Sequence, residues 1–133
     1  MNEMLYFNNF VNLNSFKNIE NLISKKWVGK SYPEGKDINV LLEASFEMEE
    51  KVVSGYIDVN DEGDILRIKI KGGIIKFPFL IIDYISTNPK IINYGRIMYK
   101  INDDFTKMEG KVIGYSGERN FFVIASSELK VVI

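Results

Sequence analysis

The chain has 133 residues, 46% hydrophobic and 26% charged, a size and balance that suit one globular domain with a single core. Seventeen Lys and Arg against eighteen Asp and Glu leave a formal charge of −1, so no cationic excess exists to displace counterions from a nucleic-acid polymer, and duplex binding is not expected. The sequence has no Cys and no His, which removes disulfides, thiol nucleophiles, zinc-thiolate sites, Ser-His-Asp chemistry and imidazole metal ligation.

Residues 1–26 contain neither Gly nor Pro. Their short apolar run from Met4 to Phe7 stops at Asn8 and Asn9, and no Lys or Arg precedes Lys17, so the charged and apolar regions of a secretory signal are both missing. A cytoplasmic protein is expected. Asn14 or Ser15 can cap a helix in which Phe16, Ile19, Leu22 and Ile23 recur at spacings of three and four, with Lys17, Asn18, Glu20 and Asn21 outside the stripe. The expectation is one amphipathic N-terminal helix, residues 1–26, packed on the domain that follows. The other use of such a stripe is to dock a partner.

From Trp27 the period changes to two. Ile38, Val40, Leu42, Ala44 and Phe46 alternate with Asn39, Leu41, Glu43 and Ser45, the pattern of a strand with one buried face. Eight such runs are predicted: 28–32, 39–46, 52–59, 65–71, 75–85, 91–101, 107–115 and 121–132, the last long enough to hold a bulge or break. The separators carry turn chemistry: Pro33-Glu34-Gly35, Glu47 to Glu50, Asn60 to Asp64, Gly72-Gly73, Ser86 to Pro89, Asn102 to Asp104 and Ser116 to Asn120. None is long enough for a parallel crossover, so sequential strands must be antiparallel neighbours in a meander. The most apolar stretch, Gly73 to Ile85, holds Lys76, Pro78 and Asp83 and falls short of the roughly 20 residues of a membrane-spanning helix, so no membrane insertion is expected.

An open meander of eight strands exposes two edges, and closure removes both. The predicted fold over residues 27–133 is therefore mainly β, an eight-stranded antiparallel meander closed into a barrel. Gly55, Gly95, Gly110 and Gly114 fall inside predicted strands, where Gly serves sharp bends or close approach. A two-sheet sandwich is the competing arrangement.

Several motifs invite chemistry and are better explained plainly. Asp58 to Ile65 matches the first half of a calcium loop, but Lys69 stands where the bidentate Glu is needed, and the Asn, Asp and Gly suit a hairpin turn. Glu47, Glu49 and Glu50 read as a solvated turn rather than a carboxylate pair for acid-base work. Gly110 to Gly117 lacks the Gly-Lys-Ser/Thr ending and the following helix of a phosphate loop. No metal, no cofactor and no catalytic constellation is expected.

Aromatic residues make up 13% of the chain, and Trp27, Tyr32, Tyr56, Tyr94, Tyr99 and Tyr115 each offer a flat apolar surface with a polar tip, suited either to core packing or to a guest in a barrel mouth. Around Arg96 the alternation puts Tyr94, Arg96 and Met98 on one face and Gly95, Ile97 and Tyr99 on the other. Pointing inward, Arg96 would need a carboxylate or an anionic ligand; pointing outward, it is a surface charge. Arg67 and Lys69 are predicted outside, opposite Leu66, Ile68 and Ile70. Trp27, Tyr32, Tyr94, Arg96 and Tyr115 are the candidate ligand-binding residues.

Trp27-Val-Gly29-Lys-Ser-Tyr32, Gly55-Tyr56-Ile57 and Gly110-Lys-Val-Ile-Gly114-Tyr115, strung along a meander, resemble lipocalin-like barrels, among them the soluble barrel domain of bacterial antiviral effectors gated by cyclic nucleotides. The likeness covers residues 27–133. The Gly-x-Trp order of true lipocalins is absent, and where those effectors carry transmembrane helices this chain has one polar amphipathic helix, so membrane disruption is not carried over. The resemblance implies a non-catalytic barrel that holds a small molecule, a cyclic nucleotide or similar signal in bacterial or phage defence. The alternative is a protein-interaction module, or a homo-oligomer, that uses the N-terminal helix or a strand edge.

Overall fold

The computed structural model describes residues 19–117 and 120–132. Eight strands, β1 (Lys26–Pro33), β2 (Val40–Glu49), β3 (Val52–Asp61), β4 (Asp64–Lys76), β5 (Phe79–Ser86), β6 (Asn93–Ile101), β7 (Lys107–Ser116) and β8 (Phe121–Val131), follow one another around a closed barrel. Every neighbouring pair is antiparallel. Closure is made by β1 against β8, in a register running from Trp27↔Val131 to Pro33↔Ala125. This is the up-and-down barrel rather than the sandwich, and among the described residues it leaves no edge strand along which another chain could be added.

The alternation of each strand decides which side chains enter. In β2, Leu42, Ala44, Phe46 and Met48 are buried while Leu41, Glu43, Ser45 and Glu47 are exposed. The predicted outward placement of Arg67 and Lys69 is observed, opposite the buried Ile68 and Ile70.

Two predicted boundaries are corrected. The expected solvated turn over Glu47 to Glu50 is strand as far as Glu49, paired with β3, and the chain reverses at Glu50-Lys51. The expected turn at Gly72-Gly73 is strand: β4 continues to Lys76, and the chain reverses at Phe77-Pro78. Proline has no N–H for a ladder, so the reversal settles there, while the glycines are absorbed as an irregularity between Ile70 and Gly72. The bulge considered for the last strand is not found, since β8 pairs with β7 in unbroken register. A second irregularity lies between Val53 and Tyr56, where Gly55 has φ of 131° and a Cβ would meet the Ser45 carbonyl oxygen at 2.0 Å.

The two ends of the barrel differ. At one end, residues 19–23 form a helical turn whose Ile19 and Ile23 are buried, with Leu22 packed against the same core. The Trp27 indole N–H donates to the Ile23 carbonyl at 3.2 Å, satisfying a helix-end acceptor inside the core. The Glu50 amide, in the turn after β2, donates to the Glu20 carboxylate at 3.4 Å. Phe77 and Phe105, from the β4–β5 and β6–β7 turns, stack with ring centroids 5.0 Å apart. Trp27, Leu80, Ile101, Met108 and Leu129 fill the space between. The predicted packing of Ile19, Leu22 and Ile23 on the barrel is observed; Asn14, Ser15 and Phe16 lie outside the described residues. No helix among the described residues is long and apolar enough to cross a membrane.

Candidate ligand-binding cavity

The other end is hollow. A cavity of about 700 Å³, within the range of small-molecule sites, opens between the β1–β2, β3–β4, β5–β6 and β7–β8 connections. Its two walls have different chemistry. From β2, β3 and β4 come Val40, Leu42, Ile57, Val59, Leu66 and Ile68, all aliphatic. From β5, β6 and β7 come Tyr84, Asn93 and Ser116 among the apolar Ile97 and Val112.

Tyr84 owes its position to two absent side chains. It is in register with Gly95 of β6, which is in register with Gly114 of β7. A Cβ on Gly95 would stand 2.4 Å from the Tyr84 hydroxyl, and one on Gly114 would stand 2.3 Å from it. The ring therefore lies flat over a floor only glycine leaves clear. Burial pushes the Tyr84 phenol above its usual range, so it is neutral and able to donate at physiological pH. Among the described residues the hydroxyl has no hydrogen-bond partner. Asn93, the next inward residue of β6 towards the opening, is 9% exposed, and its carboxamide is likewise unpartnered among the described residues.

Deeper in the barrel, a similar reach is completed. Tyr99 of β6 and Ser127 of β8 share a hydrogen bond of 2.7 Å, across the intervening Gly110 of β7. Burial pushes the Tyr99 phenol up to about 12, offset in part by the Ser127 hydroxyl.

Charge stays at the mouth or outside. Lys36, Asp61 and Asp64 border the opening, and Lys36 sits over the Phe121 ring, 4.4 Å from its centroid. Arg67 touches the mouth, but its guanidinium turns outward to make two bonds to the Asp58 carboxylate, at 2.8 and 3.0 Å. Those bonds hold the Asp58 carboxyl below the ordinary carboxylate range. The half calcium loop is a hairpin turn, in which the Asn60 side-chain oxygen Oδ1 accepts the Gly63 amide at 2.8 Å.

Of the five candidate residues, Tyr115 alone borders the cavity, at its rim, where its hydroxyl donates to Asn120 and its ring meets Phe122 edge-on at 5.3 Å. Trp27 is wholly buried at the filled end. Tyr32 is on the outer surface and donates to Glu128 at 3.2 Å. Tyr94 is also outside, in reach of the Lys71 ammonium at 5.9 Å. Arg96 points outward as well, bound to Asp83 through Nε at 2.7 Å and Nη2 at 3.1 Å, with its side chain 63% exposed. The predicted pairing of faces in β6 is observed, with Gly95, Ile97 and Tyr99 on the inner one. Tyr84 and Asn93 were missed, although a signal existed: each is a polar residue in phase with inward aliphatics, Tyr84 with Leu80 and Ile82, Asn93 with Ile97.

Fold and cavity together define a class, an up-and-down β-barrel filled at one end and open to a two-sided pocket at the other. No family model and no curated protein matches the chain.

Proposed function

We propose that this protein is a small-molecule-binding barrel that receives a guest through its open end and holds it without chemical change, to sense or sequester it. The observation that carries the reading is the cavity of about 700 Å³, lined by aliphatic side chains and by Tyr84 and Asn93, whose side chains have no hydrogen-bond partner among the described residues. Burial of Ile19 and Ile23 beneath the filled end, and the lack of an edge strand, weigh against partner docking through the helix stripe or strand addition.

Nile red, an uncharged fluorophore that brightens on leaving water, tests the reading. Wild-type protein is expected to bind it with one site and a blue-shifted emission, and Leu42→Trp, which fills the pocket, is expected to abolish the signal while the protein stays folded. Equal signals from both proteins would defeat the proposal.

The resemblance to defence-associated barrels adds a nucleotide-like signal as the guest. A base and sugar would enter the pocket, and the phosphate would remain at the mouth beside Lys36. A cyclic nucleotide that binds the folded state is expected to raise the melting temperature by mass action. Flat melting curves across a nucleotide panel remove that guest and leave the pocket itself in place.

A further inference from the structure

The two walls of the pocket specify more than its size. Resting on the proposal that the pocket holds a guest, we infer that the guest is uncharged where it is buried and carries an amide-like edge, one donor beside one acceptor, which Asn93 and Tyr84 hold against the β5–β7 wall while an aliphatic body lies on β2–β4.

Three observations carry this. The Asn93 carboxamide offers a donor and an acceptor whichever way it is turned, and although the residue is only 9% exposed, its polar atoms are not sealed from solvent but face the hollow, where a guest can meet them. The Tyr84 hydroxyl is fixed over Gly95 and Gly114, and Gly95 is one inward position, about 7 Å of backbone, from Asn93 along β6, so one compact polar group can reach both. No charged side chain among the described residues points into the pocket below its mouth, and the mouth itself sets Asp61 and Asp64 against Lys36. A carboxylate or phosphate carried inward would be desolvated with no cation to receive it. A wholly apolar guest would leave Asn93 and Tyr84 desolvated and unpaired.

The test compares octanamide, octanoate and octan-1-ol, equal in chain length and different in head group, by amide-resonance titration of isotopically labelled protein. Octanamide is expected to bind at least about tenfold more tightly than octanoate at neutral pH, because only the carboxylate brings a charge into the apolar wall. It is also expected to move the Asn93 side-chain NH₂ resonances. Tyr84→Phe and Asn93→Leu should each weaken octanamide by about fivefold. Octanoate binding as tightly as octanamide overturns the inference, as does octanamide affinity that survives both substitutions. The octanamide-to-octanoate ratio is read on the unaltered protein, so it stands even if a variant fails to fold. If Nile red binds and the head groups do not discriminate, only the head-group assignment falls. If Nile red and all three probes fail to bind, the binding pocket itself is rejected.

Discussion

Tyr99 and Tyr84 are built alike and used differently. Each extends from its strand across a neighbouring glycine, Tyr99 past Gly110 and Tyr84 over Gly95 and Gly114. Both line the hollow, but Tyr99 ends on the Ser127 hydroxyl, whereas the Tyr84 hydroxyl has no hydrogen-bond partner among the described residues. A parallel contrast separates the two ends of the barrel. Where the helical turn, Trp27 and the Phe77–Phe105 stack supply enough side-chain volume, the interior is filled; where small inward residues such as Ser31, Gly95, Gly114, Ala125 and Ser127 stand among the aliphatics, it is not. An eight-stranded barrel stands near the size at which side chains just fill the interior, so side-chain volume decides which end is left hollow.

The largest expected effect compares one substitution at both ends. Leu80→Ala, at a fully buried site of the filled end, should cost about 3–4 kcal/mol in urea unfolding, from lost transfer energy plus a new cavity. Leu66→Ala, on the wall of the existing hollow, should cost about 1 kcal/mol, because that side chain is already partly unpacked. Equal losses would erase the distinction between filled and hollow ends.

Alkaline titration gives the next contrast. The Tyr99 phenol is raised in the folded state, so its neutral form favours folding, and the stability it contributes below pH 10 is lost as pH climbs towards about 12. A rise of about two pKa units corresponds to roughly 2–3 kcal/mol. Tyr99→Phe should flatten the fall in unfolding free energy across that window relative to wild type. Parallel curves for the two proteins would place Tyr99 in a wetter site than its burial implies.

Gly95→Ala sharpens the comparison from the hollow side. The added methyl must push the Tyr84 ring into the pocket, at about 1 kcal/mol in thermal unfolding, while Nile red fluorescence drops with the lost volume. Unchanged fluorescence would mean the ring does not rest where the glycines allow.

Arg96→Ala should have the smallest effect: a melting temperature within about 2 °C of wild type, as for exposed ion pairs, and unaltered Nile red binding. The hydrogen bond from Arg96 holds the Asp83 carboxyl below its ordinary value. Its slight contribution is therefore present above the usual carboxylate range and fades as pH falls through the folded value. A large loss of guest binding would bring Arg96 back as a ligand contact.

Much of this architecture was legible in the residues, and the reasons differ by element. Short polar connections after each apolar run force antiparallel neighbours, which made the meander readable, and unprotected edges made closure the favoured ending. The β4–β5 turn was misplaced because Gly72-Gly73 and Phe77-Pro78 both carry turn chemistry, and only the register of β3, β4 and β5 chooses between them. The pocket was harder to read. Its candidate residues were selected by type, as aromatics and arginine, whereas the barrel sorts by parity, which sends Tyr32, Tyr94 and Arg96 outward and brings in the less conspicuous Asn93 and Tyr84.

Local alternation and turn chemistry thus determined the number of strands, their order and the face most residues occupy, because these depend on neighbours in the chain; the β4–β5 reversal waited on register. Which end is filled, and which polar groups remain without partners, depends on volumes and reaches summed across strands far apart in sequence. Tyr84 above Gly95 and Gly114, and Tyr99 meeting Ser127 past Gly110, exist only once the sheet has closed and set those residues side by side.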